Sequence, residues 1–258
     1  MAEISFGTNS RHLLKRDAAP VAVSSRQNTP PVVTSHSGLP LQWRKGVPIT
    51  PPRTFSRDCY AVVKRALDIV MAVAAVVALS PLLLAISLMT KVTSPGPVLF
   101  RQARSGRADT VFELYKFRTM RQEACDHSGV AQTTVADERV TKLGRWLRRS
   151  SLDELPQLFN ILRGDMSFVG PRPHVAGQLA AGRPYRELVA YYEQRRSVRP
   201  GLTGWAQANG LRGPTDDATR ARQRVEHDMA YIQNASLLLD LRIIFVTARD
   251  EFISGGGS

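Results

Sequence analysis

Two adjacent carboxylates, Asp153 and Glu154, stand in the stretch Ser151-Leu152-Asp153-Glu154-Leu155-Pro156-Gln157-Leu158, directly after a basic run, in a chain with 35 Lys and Arg against 22 Asp and Glu. Leu152, Leu155 and Leu158 recur every third residue, which predicts a helical apolar face that the two acids flank rather than occupy. Neighbouring side chains on a helix point about 100° apart, so the acids are not equivalent ligands gripping one atom from the same direction. Unequal roles follow, one nucleophile and one helper. Taken alone, the pair also reads as a solvated acidic patch neutralised by Arg148 and Arg149.

Candidate anion contacts lie on both sides of the pair. Lys116 and Arg118, in Lys116-Phe117-Arg118-Thr119-Met120, put two cations near the edge of a small sheet, as phosphate contacts or as ordinary exposed strand charges. Arg172 sits between Pro171 and Pro173, whose rings stiffen the backbone and hold a guanidinium ready for a phosphate oxygen; the alternative is a structural turn with an idle arginine. Asp240, embedded among Leu237, Leu238, Leu239 and Leu241, has to be paired or functional if it is buried. Cys59 and Cys125 lack metal-ligand spacing and the five histidines do not cluster, so disulfide and zinc chemistry have little support and a reducing, cytoplasmic setting fits. No P-loop, GxGxxG or internal repeat is present, so a dinucleotide fold has no motif behind it.

The elements that must carry these residues differ along the chain. Residues 1–57 are rich in Ser, Thr, Pro and basic side chains and are expected to be a disordered basic tail, passive or docked on anionic lipid, and not a secretory signal. From Leu67 to Met89 only Asp68, Ser80 and Ser87 are strongly polar, a run long enough to cross a bilayer. Pro81 interrupts it, and basic residues flank both ends, Lys64 and Arg65 before it and Lys91 and Arg101 after it. A helix over 58–93, broken at Ser80-Pro81, that dips into one leaflet and returns satisfies both features; a Pro-kinked spanning helix is the alternative. Asp68 is expected to be held by Lys64 or Arg65.

A hairpin is predicted over Val98–Arg101 and Val111–Tyr115, then a polar loop around His127-Ser128-Gly129. Thr141 to Ser150 reads as an amphipathic helix with Leu143, Trp146 and Leu147 on one face and Lys142, Arg145, Arg148 and Arg149 around the other. Tyr185, Leu188, Val189 and Tyr192 suggest a second interface-type helix, and two more helices are expected over Asp216–Tyr231 and Ser236–Thr247. The fold class is therefore α+β and membrane-associated: a re-entrant helix anchor and interfacial amphipathic helices around a small β-hairpin domain over 94–250. A net charge of +13 calls for an anionic partner, whether nucleic acid, acidic lipid or a phosphorylated substrate. The apolar run argues against nucleic acid.

Lys64-Arg65-x-x-Asp68, the Ser80-Pro81 break, Lys116-Phe-Arg-Thr-Met120, Ser151-Leu-Asp-Glu-Leu-Pro156, Gly164-Asp-Met-Ser-Phe-Val-Gly-Pro-Arg-Pro173 and Arg199-Pro-Gly-Leu-Thr-Gly-Trp-Ala-Gln207 occur in one order. Over about Lys64 to Arg249 the chain thereby resembles the bacterial monotopic phosphoglycosyl transferases, the initiating sugar transferases. The resemblance implies transfer of a sugar-1-phosphate from a UDP-sugar to undecaprenyl phosphate, with release of UMP, on the cytoplasmic face of the bacterial inner membrane. It implies Asp153 as the nucleophile, Glu154 as its support, Mg²⁺ held by the two acids, and donor or phosphate contacts from Lys116, Arg118, Arg148, Arg172 and Asp240. His174, the stretch from Trp205 to Asp216 and Arg224-Val-Glu-His-Asp228 are similar to the branch that transfers glucose-1-phosphate in colanic-acid-type pathways, so UDP-glucose is the expected donor. Galactose or N-acetylhexosamine phosphate are alternative cargoes, and a non-catalytic membrane-docked scaffold is the alternative class. Larger members of that branch carry further N-terminal membrane helices, so a minimal catalytic form is expected here. Whether it forms a homo-oligomer is left open.

Overall fold

A computed structural model of the chain describes residues 32–33, 41–44, 55–121 and 137–254. The polar loop around His127-Ser128-Gly129, the Gly-Gly-Gly-Ser end and most of the N-terminal tail lie outside the described residues.

The longest element is α1, Phe55–Thr93, 39 residues and roughly 58 Å at about 1.5 Å per residue. Only 17% of its apolar stretch is buried, and Val70, Val77, Leu84, Leu88 and Val92 face outward. An apolar face of this length is not stable in water and calls for lipid or another apolar partner. Its inner face is narrow. Asp68, Ala72, Val76, Leu79, Leu83, Ile86 and Thr90, spaced three or four apart, are buried or half-buried, so this stripe follows the rest of the protein on both sides of Pro81. Helical structure runs through Pro81 without the break expected there. The reason is local: proline removes the N–H that would bond the carbonyl of Val77, and the Ser80 hydroxyl donates to that carbonyl instead, at 2.8 Å.

Three charged residues at the start of α1 reach three different elements. Lys64 Nζ meets Asp240 Oδ2 at 2.9 Å in α7, Leu237–Ser254. Arg65 donates to the carbonyls of Ile161 (2.6 Å) and Leu162 (3.0 Å) at the C-terminal end of α3, Gln157–Arg163. Asp68 Oδ1 accepts the backbone N–H of Phe168 at 3.1 Å in a strand formed by Ser167–Val169. The expectation that Lys64 or Arg65 holds Asp68 is thus corrected. Both cations are drawn away, one by a buried carboxylate and one by carbonyls that have no partner inside their own helix.

The catalytic-side elements pack on this helix. Counting strands along the chain, β1 (Val32–Val33) and β2 (Leu41–Gln42) form a small antiparallel pair. The expected hairpin follows as β3 (Leu99–Ser105) and β4 (Val111–Phe117), in register from Leu99 opposite Phe117 to Ser105 opposite Val111. Phe112 and Leu114 share a cluster with Ala72 of α1, Leu158, Ile161 and Met166. Phe117 shares another with Ile86 of α1 and Leu147 of α2, Lys142–Arg149. The Thr141 side chain caps α2 by accepting from Gly144 N at 2.9 Å. Asn160 of α3 joins the hairpin edge: its Nδ2 donates to Glu113 O (2.6 Å) and its Oδ1 accepts from Tyr115 N (3.0 Å).

The strand Ser167–Val169 is β5; β6 (Leu179–Ala180) and β7 (Arg183–Pro184) form a tight antiparallel pair, and β8 (Gly201–Thr203) lies parallel to β5. A Cβ on Gly201 would stand 2.1 Å from Gly170 N, so the backbones after β5 and at β8 touch where no side chain fits. Next come α4 (Tyr185–Leu188), α5 (Trp205–Ala208) and α6 (Ala218–Asn234), with Asp217 capping α6 at Thr219 N and Arg220 N. The main core gathers Val169, Tyr185, Val189, Tyr192, Trp205, Val225, Met229 and Ile243.

Two expectations are overturned here. Tyr185, Val189 and Tyr192 do not form an interfacial face: α4 stops after one turn, and all three side chains are buried, with Tyr185 and Tyr192 stacked 5.2 Å apart beside His174. Part of the stretch expected to be disordered is built into the core. Trp43 is 4% exposed and packs on Tyr191 at 4.2 Å, while Arg44 N and O pair with the Gln233 amide of α6 at 2.9 and 3.1 Å.

Where α2 crosses the end of the hairpin, a Cβ on Gly144 would lie 2.1 Å from the carbonyl oxygen of Thr119, which is backbone and has no room to yield. Gly144→Ala is expected to lower stability by about 1–3 kcal/mol, read as a fall of several degrees in the thermal midpoint of the detergent-extracted protein. An unchanged midpoint would show that α2 does not sit against Thr119.

Candidate active site

The acid pair is reached through a strained turn. After α2, Ser151 takes a left-handed conformation (φ 53°), at a cost on the order of 1–3 kcal/mol for a residue with a side chain. Leu152–Glu154 then form a 3₁₀ turn, and Pro156 stands at the head of α3. The tight turn changes the predicted exposure: Asp153 is buried rather than flanking an apolar face, and Glu154 is half-buried.

Cations from two other elements close on the pair. Lys116 continues the inward row of Phe112 and Leu114 on β4, and its Nζ lies 2.7 Å from Glu154 Oε1 and 3.9 Å from Asp153 Oδ2. Arg172 in the Pro-Arg-Pro turn grips both oxygens of Glu154, NH2 to Oε1 at 2.5 Å and NH1 to Oε2 at 3.2 Å. Behind it, the Arg172 carbonyl accepts from Arg195 NH2 at 2.8 Å, and Arg195 Nε pairs with Asp228 of α6 at 2.7 Å in a buried ion pair. Arg172 also lines a recess with Ser105, His174, Tyr192, Arg195 and Arg196. Arg148 donates to the Thr119 hydroxyl at 2.8 Å, and its charge favours the ionised form of Asp153.

The electrostatics separate the two acids. Burial pushes the Asp153 carboxyl up, Lys116 pulls it back, and the negative charge of Glu154 pushes it up again, leaving it above the usual aspartate range. Burial also acts on Glu154, but Arg172 and Lys116 outweigh it and hold that carboxyl well below the usual range. Glu154 is therefore the fixed anion that organises two cations, and Asp153 is the less engaged carboxylate.

Of the residues singled out from the sequence, Lys116, Arg148 and Arg172 gather at Asp153 and Glu154, and two do not. Arg118 is buried with its guanidinium on the carbonyls of Ser94 and Pro95, both at 2.6 Å, so it ties the hairpin to the end of α1. Asp240 accepts from Lys64, Tyr60 and Tyr231 at 2.9, 2.9 and 2.7 Å and serves as a buried lock between α1, α6 and α7. Arg195, Asp228 and Asn160 went unnoticed as supporting residues. Their partners lie 23 to 47 positions away, so no local pattern could flag them.

Among the described residues no group of three His, Cys, Asp or Glu side chains could hold a metal. A carboxylate offers about four lone-pair sites, and Glu154 already accepts three hydrogen bonds. Among the described residues the ion pair of Asp153 is with the more distant ammonium of Lys116. A hard cation such as Mg²⁺ fits this pair if phosphate oxygens and water complete its shell.

Because the Glu154 carboxyl is depressed in the fold, its stabilisation is present above its unfolded value, about 4.3, and is lost as pH falls through the folded one. Glu154→Gln is expected to lower the thermal midpoint at pH 7 by leaving Lys116 and Arg172 without their shared anion. The gap from wild type should stay constant down to about pH 5 and narrow below about pH 4. A gap that widens on acidification would contradict the assignment.

With this geometry in view, comparison with known proteins is informative. The family described as bacterial sugar transferase matches residues 59–253. The chain is 51% identical over 196 residues to the exopolysaccharide production protein PSS of Rhizobium leguminosarum bv. phaseoli, covering 76% of this chain and 98% of that protein. It is 49% identical over 193 residues to the UDP-glucose:undecaprenyl-phosphate glucose-1-phosphate transferase of Xanthomonas campestris pv. campestris, covering 74% of this chain and 39% of the relative. A protein of the same name from Escherichia coli (strain K12) is 45% identical over 215 residues, covering 83% of this chain and 46% of its own length. The chain thus spans nearly all of the Rhizobium protein and less than half of the other two. It belongs to the bacterial sugar transferase family.

Proposed function

We propose that this enzyme moves a sugar-1-phosphate, glucose-1-phosphate in the first instance, from a UDP-sugar to undecaprenyl phosphate, releasing UMP and so beginning an exopolysaccharide or capsule chain. The observation that carries the reading is the buried acid pair, with Glu154 neutralised by Lys116 and Arg172 and Asp153 left beside them. That the Xanthomonas and Escherichia relatives are named for this reaction with UDP-glucose supports the choice of donor.

An Asp153 carboxylate oxygen attacks the β-phosphorus of the donor. The bond from that phosphorus to the bridging oxygen breaks, the electron pair stays on the α-phosphate, and UMP leaves. The sugar phosphate is then held as an acyl phosphate on Asp153. A phosphate oxygen of undecaprenyl phosphate attacks the same phosphorus, the carboxylate departs unchanged, and the product is the lipid diphosphate sugar. Lys116 and Arg172, aligned by Glu154, offset charge on the phosphoryl oxygens, and Arg148 favours the ionised nucleophile. Asp153 and Glu154 are the residues that would hold Mg²⁺, which would supply further neutralisation of the diphosphate.

The same reading puts α1 in the bacterial inner membrane as a re-entrant helix that turns back by a kink at Pro81 rather than a break, with the catalytic residues on the cytoplasmic face and anionic lipid beneath the basic surface. Two observations support it. Lys64, Arg65 and Asp68 toward one end of α1, and Ile86 with the Arg118-bound Ser94 carbonyl at the other, attach to one set of elements, as expected when both ends lie on the same side. Basic residues flank both ends. Trp146, 51% exposed on α2, suits the interface as well.

Purified in detergent with Mg²⁺, the protein should turn UDP-glucose over to UMP repeatedly only when undecaprenyl phosphate is present, with at most one UMP per enzyme in its absence, and Asp153→Asn should cut turnover at least about 10³-fold. Full turnover in that variant would remove Asp153 from the chemistry. Because attack needs the ionised carboxylate and the Asp153 carboxyl is raised, the acid limb of kcat/KM should lie above the value of a free aspartate, about 3.9. In Glu154→Gln that limb should move to lower pH, since a neighbouring negative charge is gone. For the anchor, Cys59 and an engineered Pro95→Cys should both resist a membrane-impermeant maleimide added outside spheroplasts; labelling of one alone would favour a spanning helix.

A further inference from the structure

Helix α7 sets Leu239, Ile243 and Val246 in the main core and makes polar contacts along the side beside them. Asp240, Thr247 and Glu251, seven and four residues apart, lie on that side. Asp240 binds Lys64 and Tyr60 at the start of α1. Thr247 shares a hydrogen bond with Thr203 of β8 at 2.7 Å. At the far end Glu251 Oε2 accepts the Ser151 hydroxyl at 3.2 Å, and its Oε1 forms an ion pair with Arg212. The outward side of the helix carries Leu238, Leu241 and Phe245, all exposed. Asp240 and Glu251 are eleven residues, or about 16 Å, apart, so α7 spans from the entry of α1 to the turn that carries the acid pair.

The Ser151 contact matters because of where Ser151 stands. It is the left-handed residue from which the 3₁₀ turn of Asp153 and Glu154 departs, and Glu154 N donates back to the Ser151 carbonyl at 3.2 Å. Glu251 also lies in the last turn of α7, where a carboxylate opposes the helix dipole. Its position therefore does not serve the stability of its own helix. We infer that Glu251 is a positioning residue of the acid pair, acting through the Ser151 hydroxyl to hold the strained turn that aims Asp153. The inference rests on the phosphoglycosyl transfer proposed above for the functional consequence, and on geometry alone for the contact.

The test uses the full chain in detergent with three single variants. In Glu251→Ala, kcat for UMP release should fall about tenfold or more, as for a reacting group displaced by a fraction of an ångström, with donor KM changed less than about twofold. Glu251→Gln should stay close to wild type, because its amide oxygen still accepts the Ser151 hydroxyl even though the Arg212 ion pair is lost. Ser151→Ala should match Glu251→Ala, and combining the two should be no worse than either alone. Amide hydrogen exchange over residues 150–155 should be faster in Glu251→Ala and unchanged in Glu251→Gln. The inference is overturned if Glu251→Ala keeps wild-type kcat and exchange, if Glu251→Gln falls as far as Glu251→Ala, or if Ser151→Ala is indistinguishable from wild type. A wild type that releases no UMP, with exchange still accelerated in Glu251→Ala, would sink the proposed reaction and leave the positioning contact standing.

Discussion

The fold depends on how one apolar helix is fastened to a polar body. Among the described residues of α1, Ala72 and Ile86 are the fully buried apolar side chains, Val76, Leu79 and Leu83 are only half-buried, and the outer face finds no apolar partner among the described residues. Burial of apolar surface alone therefore orients α1 weakly. What orients it is the charged turn at its start, where Lys64, Arg65 and Asp68 reach α7, α3 and β5 in turn. Hydrogen bonds to charged groups contribute about 1.5–3 kcal/mol each. They are also directional, so three of them to three elements fix the rotation of the helix as well as its attachment.

The acid pair inherits that order through short physical links. Arg65 holds the C-terminal carbonyls of α3, and Asp153 and Glu154 stand just before the N-terminus of the same short helix. Asn160 ties α3 to the strand that delivers Lys116. Arg172 is delivered from the other side, by a turn whose backbone approach at Gly170 and Gly201 admits no side chain and whose carbonyl is gripped by Arg195. Glu154 then divides its lone pairs between the two cations, and this division is what makes two neighbouring acids unlike each other.

Where a pattern in the sequence reflects contacts close along the chain, it reads correctly. The hairpin, α2, α6 and the long apolar helix each follow from spacing, turn residues or hydropathy within a dozen positions. Where a pattern is shared by two structural states, it misleads. Tyr185, Val189 and Tyr192 have the spacing of an amphipathic helix but sit in the core around His174, because Arg195 beside them is neutralised by Asp228 from a later helix and can be buried too. Trp43 is a single aromatic in a Pro- and Ser-rich stretch, and only the groove at Tyr191 and Gln233 gives it a place.

Residue type and local spacing by themselves determined that this chain carries a paired carboxylate, a rigid arginine turn, a basic surface and an apolar helix of membrane length. They also marked Lys116 and Arg172 as candidate phosphate contacts and Arg148 with Arg149 as neutralising the pair. Only the tertiary structure decided that Arg118 and Asp240 tie neighbouring elements together away from the acid pair, that Asp68 is satisfied by a strand 100 positions away, and that Asp153 rather than Glu154 is the less engaged acid. The physical reason is the same in each case. A charge is satisfied by whichever donor or acceptor lies within about 3 Å, and that neighbour is set by packing between distant segments, which local periodicity does not encode.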